Sequence, residues 1–318
     1  MAQKAQLETV ALLHLLEWNA DDLVFDLGGG VSLRRTVGSD VERLYDHLCE
    51  TRMVDNGEAL WCPTHIHLAD QAHDDLWLDW AGPYSVISRV CNTITLCTAV
   101  PVRRARLIVG REGLQADRTQ SFVIYEQSPV VEFLAAYPDS LDVSAKGITA
   151  RGERFPALDL EHLQAIRTCW QSQQAMLAPE GSSTHRVENA LAFYFYAWRA
   201  YYMEQVCLNL AVGLESLFAP VSQQELSHQI AFNMSRFCAE SAGERRSTYR
   251  AAKRFYSLRS SIVHGGRARQ HDLFAQTPEM FHRCSGILKR VLQDSALVES
   301  FGDEKKRRMV LDGWLFGD

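Results

Sequence analysis

From Ser182 onward, apolar positions recur at helical spacing. Leu191, Phe195, Trp198, Tyr202, Val206 and Leu217 fall near a 3.6-residue period, with no Pro and a single Gly, Gly213, before Phe218. The pattern predicts one long helix over 183–218, capped by Ser183 or Thr184 and stopped by Pro220. Ser222-Gln223-Gln224-Glu225 reads as a capping box, in which the Ser hydroxyl accepts from the N3 amide and Glu225 reaches back. Leu226, Ile230, Met234 and Phe237 follow at i, i+4, i+8 and i+11, predicting a second helix closed by Gly243. A third helix is predicted over 248–263, with Tyr249, Ala252, Tyr256 and Val263 on its apolar side and Gly265-Gly266 as its C-cap. A fourth, over 279–292, packs through Phe281, Ile287, Leu288 and Val291. Short connections between such helices make an all-α bundle.

The first half has a mixed pattern. Residues 41–48 and 84–98 read as helices, whereas 106–109 and 121–125 read as short strands with turn chemistry between them at 110–113. Gly28-Gly29-Gly30 lacks the preceding strand and later glycine of a dinucleotide loop and reads as a turn. Pro138, Asp139, Gly147 and Gly152 mark loops over 137–155. The fold class is therefore α+β: an N-terminal mixed α/β domain over 1–165 and a C-terminal helical bundle over 166–318. Their boundary lies within 154–180, and a helix over 158–177 fits either side.

Length and composition match this organisation. With 318 residues, 47% hydrophobic and 23% charged, the chain can bury a large core. Its net charge of −6 argues against coating nucleic acid over the whole surface. The charge is uneven, though: residues 1–178 carry 15 basic and 24 acidic side chains, and 179–318 carry 18 and 15. A polyanion site therefore belongs in the second half. Eight Cys without a dense framework fit reduced thiols and a cytoplasmic setting. The apolar run over 10–16, flanked by Glu8 and Glu17, does not have the form of a signal peptide, and the run over 190–198 is too short to span a membrane.

The chemistry concentrates at Arg259-Ser260-Ser261-Ile262-Val263-His264. Residues 245–269 hold eight Lys or Arg and no Asp or Glu, so this string lies inside a basic segment. Arg246, Arg250, Lys253, Arg254, Arg267 and Arg269 are its candidate RNA-binding residues. The planar Arg259 fork suits a phosphate, and His264 suits proton transfer near neutral pH. On an ideal helix the two are about 140° apart, so cooperation needs a loosened last turn or a second subunit. A surface ion pair for Arg259 and a capping role for His264 is the plainer reading of the spacing alone. A second constellation, Cys62, His65, His67 and His73 with Asp74 and Asp75, matches no strong zinc pattern, so no metal and no cofactor is assigned. Lys305-Lys306-Arg307-Arg308 reads either as a phosphate contact or as a solvated tail face.

The segment Phe255-Tyr256-Ser257-Leu258-Arg259-Ser260-Ser261-Ile262-Val263-His264-Gly265 resembles the motif of the Apea-like HEPN family, approximately FYxLRSxIVHG. Residues 208–218 (LNLAVGLESLF) are similar to that family's ALExLF helix, and 222–230 sit where it has its second helix. The likeness covers 204–266 well and 186–292 loosely. It implies a homodimeric helical bundle with two Arg-x-x-x-x-His motifs in one cleft. It also implies metal-independent RNA cleavage by 2′-hydroxyl attack, in antiviral defence, abortive infection or as a toxin. By residue, Arg259 and His264 inherit the catalytic roles, and Ser260 stands where many active relatives have Asn or Asp. Glu215 either orients Arg259 or braces the bundle. RNA is the implied partner, with an antitoxin or phage trigger possible and no membrane. Some HEPN proteins do not cleave RNA, so a non-cleaving RNA- or protein-binding module is the alternative.

Overall fold

The computed structural model describes residues 6–14, 16–35, 64–72, 81–111, 120–123, 134, 141–144, 147–150, 157–176, 185–219, 225–266 and 269–316. The chain is α+β and divides into two compact units. One comprises Met1–Glu126 with Phe155–Gln171; the other comprises Gln127–Arg154 with Ser172–Asp318.

The first unit is built on six strands: β1 (Gln6–His14), β3 (Val24–Gly28), β4 (Val31–Arg35), β5 (Thr64–Ala72), β6 (Arg103–Arg111) and β7 (Gln120–Val123). All neighbours are antiparallel, in the order β3-β4-β5-β1-β6-β7. Between β1 and β3 lies β2 (Glu17–Trp18), which pairs in parallel with β10 (Ala157–Leu158). In β3 the alternation buries Phe25 and Leu27 and exposes Val24. The sheet core adds Leu13, Val31, Leu33 and Ile66. The triple glycine forms the expected turn, here between β3 and β4, but a strand does precede it, contrary to expectation; Gly28, Gly29 and Gly30 all have positive φ (91°, 64° and 75°) that disfavours a side chain. Helix α1 (Ala81–Thr98) agrees with the periodicity over 84–98 and is buried on every side from Val90 to Cys97.

The predicted strand over 106–109 lies within β6, and that over 121–125 starts as β7; Ile124 and Tyr125 are outside the described residues, as is the helix expected over 41–48. Helix α2 (Leu160–Met176) spans the junction of the two units in sequence.

The second unit has a small hairpin, β8 (Leu141–Ser144) with β9 (Gly147–Ala150), and seven helices among the described residues. These are α3 (His185–Arg199), α4 (Met203–Phe218), α5 (Leu226–Cys238), α6 (Ala242–Val263), α7 (Gln270–Gln293), α8 (Ser295–Gly302) and α9 (Glu304–Phe316). The core is aromatic: Tyr194 of α3 stacks on Phe281 of α7 at 4.8 Å, and Phe218 meets Phe237 and Phe301 edge-on or tilted. Each such ring, fully buried, stabilises the unit by about 1.5–3 kcal/mol. Gly213 lets α3 and α4 close together, because a Cβ there would lie 3.3 Å from the Ala190 carbonyl. No helix among the described residues is long and apolar enough to cross a membrane.

Four expectations are corrected. The single helix over 183–218 is two helices, broken at Ala200–Tyr202, and Tyr202 is 59% exposed rather than part of the apolar stripe. The capping box belongs to Ser241 and Glu244 at the start of α6, with both reciprocal bonds formed. Glu225 is the N-cap of α5 at φ 52° and makes no side-chain cap bond, while Ser222, Gln223 and Gln224 lie outside the described residues. Gly243 lies in the first turn of α6 and closes nothing, since α5 ends at Cys238. Finally, α7 begins nine residues before Glu279 and carries Pro278 inside it.

Candidate functional site

Helix α6 carries most of the candidate residues, and its start and end are both well defined. The Ser241 hydroxyl accepts from the Glu244 amide at 3.3 Å, satisfying an N–H that has no partner inside the helix. At the other end Gly265 takes φ 73°, the Gly266 amide donates to the Ser261 carbonyl at 2.8 Å, and the Gly265 amide donates to the Ile262 carbonyl at 3.3 Å. This pair of bonds with a left-handed residue is a Schellman closure. The expected glycine cap is present, and α6 remains α-helical to Val263 without loosening.

That regularity fixes which residues share a face. Arg246, Arg250, Lys253, Ser257, Ser260 and His264 repeat at intervals of three or four, so they line one side of α6 over roughly 27 Å. Arg246, Arg250, Arg254, Ser257, Ser260 and His264 are all exposed. Lys253 is half-buried and donates from Nζ to the Ser227 hydroxyl of α5 at 3.1 Å. Arg269, immediately before α7, is exposed; Arg267 lies outside the described residues. Among the described residues the His264 imidazole has no hydrogen-bond or ion-pair partner, while its backbone amide donates to the Ser260 carbonyl at 3.1 Å.

Arg259 points the other way. It sits on the side of α6 that buries Thr248, Ala252, Phe255 and Tyr256, and only 29% of its side chain is exposed. Its Nη2 is 3.5 Å from Oε1 of Glu215 on α4. Burial raises the Glu215 carboxyl above its ordinary pKa, and the Arg259 charge only partly offsets this. One turn of α6 earlier, the Tyr256 hydroxyl donates to the Ala211 carbonyl at 3.2 Å, and burial drives that phenol well above its usual range. Burial likewise pushes the Cys207 thiol up to about 12, with a hydrogen bond to Thr277 of α7 and the Arg259 charge acting against it. Arg259 thus stands among groups whose pKa burial raises.

Within one chain the structure brings Arg259 and Glu215 together, and brings His264 into line with the basic residues. It does not bring Arg259 and His264 onto one face. Cys207 of α4, which the Arg259 charge reaches, was not singled out by spacing, because its proximity depends on tertiary packing; spacing placed Tyr256 on the apolar side of its helix but not beside Arg259. In the first unit His67 is buried in β5, its Cα in register with Val10 and Ser32. No group of three or more His, Cys, Asp or Glu able to hold a metal occurs among the described residues, and Cys62, His73, Asp74 and Asp75 lie outside them. In the 305–308 run, Arg307 is 1% exposed: its Nη1 donates to the carbonyls of Leu217 (3.2 Å) and Ala219 (2.5 Å). It is a structural clasp, whereas Lys305, Lys306 and Arg308 remain exposed. No family model, curated protein or solved structure matches the chain.

Proposed function

We propose that the protein is a metal-independent endoribonuclease of the HEPN type, acting as a homodimer in antiviral defence or as a toxin in the cytoplasm. The observation that carries this reading is the basic stripe of exposed Arg246 and Arg250 and half-buried Lys253 that leads along α6 to an uncommitted His264. Such a stripe suits a phosphate backbone and delivers it to an imidazole able to exchange protons near neutral pH. In the cleavage step the 2′-hydroxyl loses its proton to an imidazole and its oxygen attacks the adjacent phosphorus. The P–O5′ bond breaks, the 5′-oxygen is protonated, and a 2′,3′-cyclic phosphate remains. Arg259 would hold the non-bridging oxygens as charge develops on them. Because Arg259 and His264 diverge around α6, the complete site takes Arg259 from one subunit and His264 from the other. The N-terminal unit then selects RNA or senses a trigger.

A second reading, a non-cleaving RNA-binding module, is favoured by the engagement of Arg259 with Glu215. Labelled RNA incubated with the protein in EDTA separates the two. The nuclease yields cyclic-phosphate ends, and His264→Ala lowers the rate by about 10²-fold or more. Equal RNA binding by both proteins without cleavage supports the module.

A further inference from the structure

The corner between α3 and α4 is unusual in composition. Ala200 and Met203 turn inward and are 9% and 2% exposed, whereas Tyr201 and Tyr202 between them are 60% and 59% exposed. A tight interhelical corner needs no aromatic residue, and two adjacent rings in water lose the stabilisation that burial would give them. Their centroids are 5.0 Å apart with an interplanar angle of 76°. In this edge-to-face arrangement the edge of one ring takes up one face of the other, and a flat partner can stack on the faces left open.

The position of the corner gives it a use. Cys207 lies five residues beyond Tyr202 in α4, roughly 8 Å along the axis, and its thiol lies near Thr277 of α7 and within reach of the Arg259 charge of α6. The start of α4, the end of α6 and the start of α7 therefore share one end of the bundle. The tyrosines stand there with His264, exposed Val263 and exposed Arg269. Glu204 and Asp272 also belong to this end; His271 faces Asp272 at 3.7 Å. A phosphate is disfavoured beside Glu204, but an uncharged base is not.

We infer that Tyr201 and Tyr202 form a stacking platform for unpaired bases of single-stranded RNA whose phosphates follow the basic stripe of α6. The inference rests on the RNA reading above and adds the substrate class: single strands or loops, since bases inside a duplex cannot reach an aromatic face. A second copy of the chain could also cover exposed rings. The basic stripe alongside favours the polyanion.

The test uses full-length protein carrying His264→Ala, so that substrate survives. Its probes are a fluorescent oligouridylate of about twelve nucleotides and an RNA duplex of equal length. Tyr201→Ala with Tyr202→Ala should weaken single-strand binding about 10- to 100-fold and leave the salt slope unchanged. Tyr201→Phe with Tyr202→Phe should retain binding, and Arg250→Ala should lower the salt slope by about 1. Unchanged single-strand affinity in the double alanine variant overturns the platform, as does an equal loss for the duplex. A change of association state in light scattering, with RNA affinity intact, assigns the corner to a second copy and also overturns it. If the parent binds neither probe, the RNA reading fails and the platform with it; if only the tyrosines prove silent, the platform alone fails.

Discussion

Glu215 shows how one residue can be named from sequence while its state is not. The ALExLF likeness marks the position, and the geometry gives it a partner, with Arg259 Nη2 at 3.5 Å. A sequence cannot show that burial outweighs that partner, because desolvation depends on side chains from other helices. The net effect raises the carboxyl above its ordinary value of 4.5. A group whose pKa is higher folded than unfolded binds its proton more tightly when folded. Its contribution is then fully present below the unfolded pKa and is lost as pH rises through the folded pKa. Wild type should therefore gain stability relative to Glu215→Gln as pH falls from 7 to 4, read as the difference in Tm. A difference that moves the opposite way would mean that the ion pair dominates, and Arg259 would then be locked to α4 more firmly than the proposed cleavage tolerates.

At the scale of elements, helix interiors were legible and helix ends were not. The apolar spacing of Leu226, Ile230, Met234 and Phe237 marks α5 directly, because one buried face imposes that period. Two Ser-x-x-Glu strings compete for the capping box, over 222–225 and over 241–244, and their local patterns are the same. Only the geometry selects Ser241. The run over 190–206 hides the α3–α4 break because Tyr202 has the right period and the wrong environment. The same failing affected 305–308, where charge suggested solvent and Arg307 proved to be buried. Arg307 ties α9 to the C-terminal end of α4 through two carbonyls that α4 itself cannot satisfy, and it bonds Glu304 Oε1 at 2.8 Å. Arg307→Ala should lower the unfolding free energy by about 2–4 kcal/mol, since buried acceptors are left without donors. Denaturant melting would show it, and Arg308→Ala, an exposed neighbour, should change stability by no more than about 0.5 kcal/mol.

For the whole molecule, the α+β class follows from the change of period along the chain, but the strand order does not. Strand β1 reads as an interrupted apolar run because it pairs on both edges, with β5 and β6. Contacts across some fifty to a hundred residues leave no local trace. The candidate catalytic pair has the same character: both residues are visible in sequence, but the proposed site joins them only through assembly. Helix α6 stays regular to Val263, so the roughly 140° between Arg259 and His264 is not relieved within one chain. If each site joins Arg259 of one subunit to His264 of the other, Arg259→Ala and His264→Ala proteins should each be inactive alone and complement when mixed. Random exchange makes half of the dimers mixed, and each mixed dimer has one intact site of two. Activity should therefore recover to about a quarter of wild type, with the rate of recovery set by subunit exchange. A site built within one subunit would leave the mixture inactive, because no chain in it carries both residues. That result would require Arg259 to leave Glu215 and swing around α6 on binding RNA, and RNA would then have to displace an ion pair before cleavage could begin.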